Sequence, residues 1–215
     1  MYNKDKNKAL AENSVKGTKE KAKSYKFFAF LNRLKLIQRW SLMHNRCVED
    51  VAQHSHQTAV IAHALGLIDL TVFKKDTNPE KCAVVALYHE TAEVLTGDMP
   101  TPVKYRNEKM TEAYKDAEKS AEERLLGYLP KELIPEIEKV VRPKACREAT
   151  LVKYADKIAA YIKCVEEISA GNSEFSAAKK SSEAFIKAFN DEAVDFFMSR
   201  FADSFSMNLD ELLED

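Results

Sequence analysis

The sequence predicts an all-α fold in a single domain, and three observations carry that prediction. Only five glycines and six prolines occur in 215 residues, too few turn-formers for a many-stranded β fold. Apolar residues recur at three- and four-residue steps from Phe27 to Ile37, the signature of one helix face. Several later stretches open on a capping residue and close on glycine. There is no internal repeat and no linker long enough to split the body. A composition of 45% hydrophobic and 31% charged residues is an ordinary globular balance.

The elements follow in order. Residues 1–24 are poor in large apolar side chains and are expected to form a flexible N-terminal segment, leaving 25–215 as the folded domain. Phe27, Phe30, Leu31, Leu34 and Ile37 define the first helical face. A second helix is expected over about 50–68, with Asp50 as its N-cap. A third opens at Asn78-Pro79, a cap followed by proline in the first turn, and is expected to run to Thr96-Gly97. Gly97 to Pro102 holds one glycine and two prolines and reads as an irregular loop. Further helices are expected over about 107–126, ending at Gly127, about 131–141 after Pro130, and about 147–170 before Gly171-Asn172. One or two more cover about 174–201 and 208–213.

The formal net charge is −1, so bulk electrostatics do not make the whole chain a polyanion binder. The ends are polarised: eight lysines against three acids over 1–26, and eight acids against Arg200 alone over 191–215. Two solvated ends explain this; a nucleic-acid arm would need interleaved aromatics that the basic end lacks. No run is long enough for a membrane span, and the polar N-terminus is not a secretory signal. Cys47, Cys82, Cys146 and Cys164 form no Cys-x-x-Cys pair, which favours reduced thiols in a cytoplasmic protein.

Five histidines are present: His44, His54, His56, His63 and His89. Three fall on the second expected helix, where geometry sorts them. His54 and His56 lie about 200° apart around the axis, so at most one of them faces a given ion, and His63 falls opposite His54. In Tyr88-His89-Glu90-Thr91-Ala92-Glu93, two metal-type ligands interrupt an apolar stretch, and Glu93 falls one turn beyond them. Carboxylates buried there need compensation, which a divalent cation would supply; the alternative is an exposed acidic helix edge with a capping histidine. Asp156 shares a face with Val152 and Ala159 and needs a charged partner. Lys153 at i−3 or an arginine such as Arg39 is the structural alternative to a metal, and Lys157 is expected to turn away. Histidines and carboxylates together suit Mn, Fe, Co, Ni or Zn.

The order His54…His89-Glu90…Asp156 resembles the HD-domain metal-dependent phosphohydrolases, whose pattern is His…His-Asp…Asp. Leu34 to Trp40, Tyr88 to Tyr105 with its Gly-Asp-x-Pro-Thr-Pro block, and Ala155-Asp156…Ala160 to Glu167 resemble more closely the bacterial 5′-deoxynucleotidase, from about Tyr25 to about Leu213. The resemblance implies a helical, commonly homodimeric enzyme that removes phosphate from deoxyribonucleoside 5′-monophosphates with a divalent metal (Co, Mn, Ni, Fe or Zn). By position it implies His54, His89, Glu90 and Asp156 as metal ligands. It makes Arg39 the phosphate clamp and sets Trp40 against the nucleotide. It gives Glu93 to the attacking water and Asp98 to the leaving 5′ oxygen. Met99, Pro100 and Thr101 become the pocket wall. A forked guanidinium matches phosphate, a carboxylate beside the ligands can hold water, and an acid at the 5′ oxygen requires a raised pKa. Packing without any ligand contact is the alternative for Trp40. The departure is Glu90, one methylene longer than the family's aspartate, which leaves open an adjusted site, a changed metal preference or a weakened one. The competing functions are a non-catalytic nucleotide-binding or regulatory protein, and a hydrolase of nucleoside triphosphates or signalling nucleotides. Neither nucleic acid nor membrane is an expected partner.

Overall fold

The structure, a computed structural model, describes residues 24–214; apart from Ser24, the segment expected to be flexible lies outside the described residues. Among the described residues the elements are helical. They are α1 (Phe27–Leu31), a 3₁₀ turn (Leu34–Leu36), α2 (Val51–Thr71), α3 (Pro79–Tyr88), α4 (Glu93–Thr96) and α5 (Thr101–Lys104). There follow α6 (Glu108–Leu126), α7 (Ile134–Val141), α8 (Arg147–Ser169), α9 (Ser176–Ala188), α10 (Glu192–Phe201) and α11 (Leu209–Leu213).

Helix α2 is the central element, packed against α3, α8 and α10. It starts where Asp50 accepts from the Gln53 backbone N–H while the Gln53 side chain accepts from the Asp50 N–H, a complete capping box. Contact on several sides explains why apolar residues occur around most of its circumference: Ala59, Ile61, Ala62, Leu65 and Ile68 are all buried. Gly66 lets α3 approach closely, since a Cβ there would lie 2.8 Å from Pro79 Cα. Asn78 caps α3 through the Lys81 N–H, with Pro79 in the first turn. Helix α8 closes the core with Leu151, Val152, Ala155, Ile158, Ala159 and Ile162. A smaller cluster joins Phe27 to Leu125, Leu126, Leu129 and Val141.

Three expectations are corrected. The apolar steps from Phe27 to Ile37 do not make one helix. Phe27 packs into the small cluster, while Leu34 belongs to a 3₁₀ turn against α2, and the chain then extends so that Gln38 bridges Asp50. Two packing partners and a strand-like pairing outweigh continuous helix propensity. The third helix stops at Tyr88 instead of Thr96. The His89 ring nitrogen Nδ1 bonds the Ala86 carbonyl at 2.6 Å and Thr91 Oγ1 donates to the Tyr88 carbonyl at 2.6 Å, so side chains compete with the helical ladder. The His89, Thr91 and Glu93 N–H groups take i−3 carbonyls instead. The helix expected from 131 begins at Ile134, with Pro135 in its first turn, and Pro130 opens a preceding turn.

Candidate active site

Five segments deliver the candidate residues. Helix α2 supplies His54, fully buried one turn into the helix. The broken turn after α3 supplies His89 and Glu90, and α4 supplies Glu93. Helix α8 supplies Asp156 from its middle. The extended segment before α2 supplies Arg39 and Trp40, held by the antiparallel Gln38–Asp50 bridge and by the Arg39 N–H on the Glu49 carbonyl at 3.0 Å.

One potential ligand atom from each of His54, His89, Glu90 and Asp156 falls within 4.8 Å of the others. His54 Nε2 is 3.0 Å from Asp156 Oδ1 and 3.9 Å from Glu90 Oε1. His89 Nε2 is 3.2 Å from Glu90 Oε1 without the alignment of a hydrogen bond, so this buried atom lacks a partner. Because a carbonyl only accepts, His89 Nδ1 carries its proton toward Ala86, so in the neutral ring the Nε2 lone pair faces the cluster. An oriented imidazole with an unpartnered inward nitrogen, beside two carboxylates, is a donor set that a divalent cation fits. His56, by contrast, is exposed, as helical geometry requires.

The break after Tyr88 matters here. On an unbroken helix Glu90 would point 100° away from His89; the i−3 turn turns both toward His54. The Glu90 oxygen that faces both histidines also lies 3.9 Å from an Arg39 guanidinium nitrogen. Burial opposes ionisation of Glu90, but the neighbouring His89 outweighs it and holds the carboxyl down at about 2. Asp156 is held well below the usual carboxylate range, burial being overcome by its His54 hydrogen bond. Burial and the Arg39 charge lower the His54 pKa. Burial acts in the same direction on His89, but Glu90 outweighs it and raises that pKa.

Arg39 and Trp40 share one anchor: Glu49 Oε2 accepts from Arg39 Nε and from Trp40 Nε1, each at 3.1 Å. Burial disfavours the Arg39 charge, yet Glu49, Asp156, Glu90 and Asp98 together raise its pKa. Trp40 has φ +57°, a left-handed conformation costly for a bulky side chain. It is kept there by Glu49 and by ring contact with Phe175 at 5.3 Å. Glu93 is buried, with Oε2 unpartnered; burial, then the Glu90 and Asp98 charges, push its carboxyl up to about 10. Burial also raises Asp98, partly offset by Arg39. Gly97, at φ +72°, ends α4 and starts the strap carrying Asp98, half-buried Met99 and Pro100, and exposed Thr101. Tyr114 of α6 donates to the Gly97 carbonyl at 3.2 Å and so ties this strap down.

The chain matches the family described as 5′-deoxynucleotidase YfbR-like over residues 26–205. The chain belongs to this family. A 5′-deoxynucleotidase of Enterobacter sp. (strain 638) is 46% identical over 191 residues, covering 88% of this chain and 96% of the relative. A 5′-deoxynucleotidase of Vibrio vulnificus (strain YJ016) is 47% identical over 188 residues, covering 86% and 97%. Among solved structures, an HD-domain phosphohydrolase of Listeria innocua superposes with a TM-score of 0.74 at 22% identity, covering 84% of this chain and 88% of that one. The cyanophage S-2L HD phosphohydrolase, described as bound to dA and one catalytic Zn²⁺, gives 0.57 at 16% identity, covering 82% and 95%. YfbR-like membership and these superpositions identify an all-α HD-domain phosphohydrolase fold.

One pairing expectation is corrected. Asp156 pairs through Oδ2 with Lys157 Nζ at 2.9 Å, and neither Lys153 nor Arg39 is its hydrogen-bonded partner. The Lys157 stem is long enough to curl back although its Cβ starts off the face. Sequence reasoning also passed over Glu49, Phe175 and the buried pair Lys163–Glu167. Glu167 accepts from the Arg46 and Cys47 N–H groups and from Asn172 Nδ2, while Lys163 donates to both Glu167 and the Cys47 carbonyl. These contacts pin the loop between Trp40 and Glu49. Lys163 and Glu167 at i,i+4 on an apolar face were a usable signal; Glu49, in a loop, offered none.

Proposed function

We propose that this YfbR-like chain is a metal-dependent phosphomonoesterase that hydrolyses deoxyribonucleoside 5′-monophosphates to deoxynucleoside and phosphate. The observation that carries the reading is the convergence of two imidazoles and two carboxylates within 4.8 Å, with a buried guanidinium on their border. The naming of relatives at 46–47% identity as 5′-deoxynucleotidases supports the substrate class.

In this reading His54, His89, Glu90 and Asp156 hold one divalent cation, drawn from Co, Mn, Ni, Fe or Zn. When bound, such an ion neutralises phosphoryl charge and acidifies water. Arg39, fixed by Glu49 through Nε, keeps its terminal nitrogens for the phosphate oxygens. Trp40 lies against the nucleoside. Glu93 holds the attacking water by its unpartnered oxygen. Asp98, whose pKa burial raises, supplies the proton to the departing 5′ oxygen. Met99, Pro100 and Thr101 form the wall of the nucleoside pocket. With its extra methylene, Glu90 still brings Oε1 within 3.2 Å of His89 Nε2 and 3.9 Å of His54 Nε2, which supports retained hydrolysis over a non-catalytic role.

The test is phosphate release from dAMP, dGMP, dCMP, dTMP and dUMP with Mn²⁺ or Co²⁺, against a Glu93→Ala control. No release above that control refutes the reading. Release only from triphosphates would reassign the substrate, and nucleotide binding without release, restored by Glu90→Asp, would make the natural chain a binding protein. A homodimer, which the family resemblance implies, belongs to the same proposal; sedimentation analysis checks it. A cytoplasmic location, supported by four free cysteines, completes it. Among the described residues no helix is long and apolar enough to cross a membrane.

A further inference from the structure

Glu49 lies between the two halves of the site, and the roles assigned above use only one of its two carboxylate oxygens, Oε2. It is buried, at 8% exposure, and immediately precedes the cap of α2. Its Oε2 takes both the Arg39 Nε–H and the Trp40 indole N–H. Its Oε1 faces His54 Nδ1 across 4.0 Å, and that buried Nδ1 has no hydrogen-bond partner. The other ring nitrogen, Nε2, lies 3.0 Å from Asp156 Oδ1 and, because an ionised carboxylate only accepts, donates to it while no cation takes its place. A histidine that offers Nε2 to a cation carries its proton on Nδ1, so the group opposite Nδ1 then has to be an acceptor. Glu49 Oε1 is the carboxylate oxygen placed to be that acceptor.

We propose that Glu49 is a positioning residue that couples the ligand nitrogen of His54 to the orientation of Arg39 and Trp40 through the two oxygens of one carboxylate. The inference rests on the reading of His54 as a ligand and of Arg39 and Trp40 as the substrate arm. One oxygen holds that arm in its strained left-handed turn; the other faces Nδ1, ready to accept its proton once a cation takes the Nε2 lone pair among Asp156, Glu90 and His89. A carboxylate suits both sides because each side presents a donor. An amide presents a single oxygen and serves one side only.

Trp40 is the sole tryptophan of the chain, so its emission reports this arm directly. The experiment compares the parent, Glu49→Gln and Glu49→Ala by tryptophan anisotropy in chelator-treated protein and by Zn²⁺ titration calorimetry. Circular dichroism and the melting midpoint control for the fold. In Glu49→Ala, anisotropy is expected to fall as the indole is released, and Zn²⁺ affinity to fall about 10-fold, the usual loss when the partner of a ligating histidine is removed. Loss of one property without the other, or of neither, overturns the coupling. Should Glu49→Ala fail to fold, Glu49→Gln decides: with a parent-like melting midpoint, either an about 10-fold weaker Zn²⁺ affinity or a lower tryptophan anisotropy upholds the proposal, and parent-like values of both overturn it. Neither readout uses turnover, so a chain that released no phosphate would refute the hydrolase reading and leave this test intact.

Discussion

Replacing Glu93 by glutamine should stabilise the metal-free protein while abolishing turnover. The Glu93 carboxyl is 6% exposed, its Oε2 has no partner, and its pKa is pushed from 4.5 up to about 10 by burial and by Glu90 and Asp98. The folded chain therefore keeps a proton that the unfolded chain releases above pH 4.5, so the unfolded state binds fewer protons. Stability then falls as pH rises through this window, by about 1.4 kcal/mol per unit. Three units above 4.5 the ceiling is about 4 kcal/mol; with water entering the site as it relaxes, about 2 kcal/mol is expected. Glutamine matches the neutral acid in shape and has no proton to take up. Urea denaturation of chelator-treated parent and Glu93→Gln between pH 5.5 and 8.5 measures the difference, which should widen with pH. Added Mn²⁺ should narrow it, because a cation lets Glu93 ionise at lower cost. Parallel stability profiles across that pH range would refute the reasoning.

Three further outcomes follow from the same geometry. His89→Ala should abolish stoichiometric Mn²⁺ binding and phosphate release, whereas His56→Ala, exposed on the far side of α2, should leave metal content at the parent level by elemental analysis. Glu167→Ala should cost about 3–5 kcal/mol in chemical denaturation, because it strands the buried Lys163 charge and frees the Arg46 and Cys47 N–H groups. Glu167 is held down to about 2, so its contribution is present above pH 4.5 and is lost as pH falls toward 2. Gly66→Ala should lower stability by about 1–3 kcal/mol, since its Cβ meets Pro79 backbone at 2.8 Å; an unchanged denaturation midpoint would show that α3 moves freely.

Much of the framework was legible in local chemistry. The Asp50 and Asn78 caps, the long α2 and α8, the stop before Gly171 and the opposition of His54 and His56 all depend on residues within one or two turns, where spacing and capping energies act directly. The exceptions lie where distant chain competes with local preference. Phe27 and Leu34 are drawn to different packing partners, so their shared periodicity does not yield one helix. His89 and Thr91 use their side chains on the preceding carbonyls and break α3.

By itself, then, the sequence determined the helical class and the placement of most helices, because both are set by interactions a few residues apart. Only the tertiary structure decided how Glu90 points, which lysine Asp156 takes, and that Glu49 stands between His54, Arg39 and Trp40. Those outcomes depend on side chains far apart along the chain meeting in a buried space, where desolvation makes each polar group depend on the particular partner it finds.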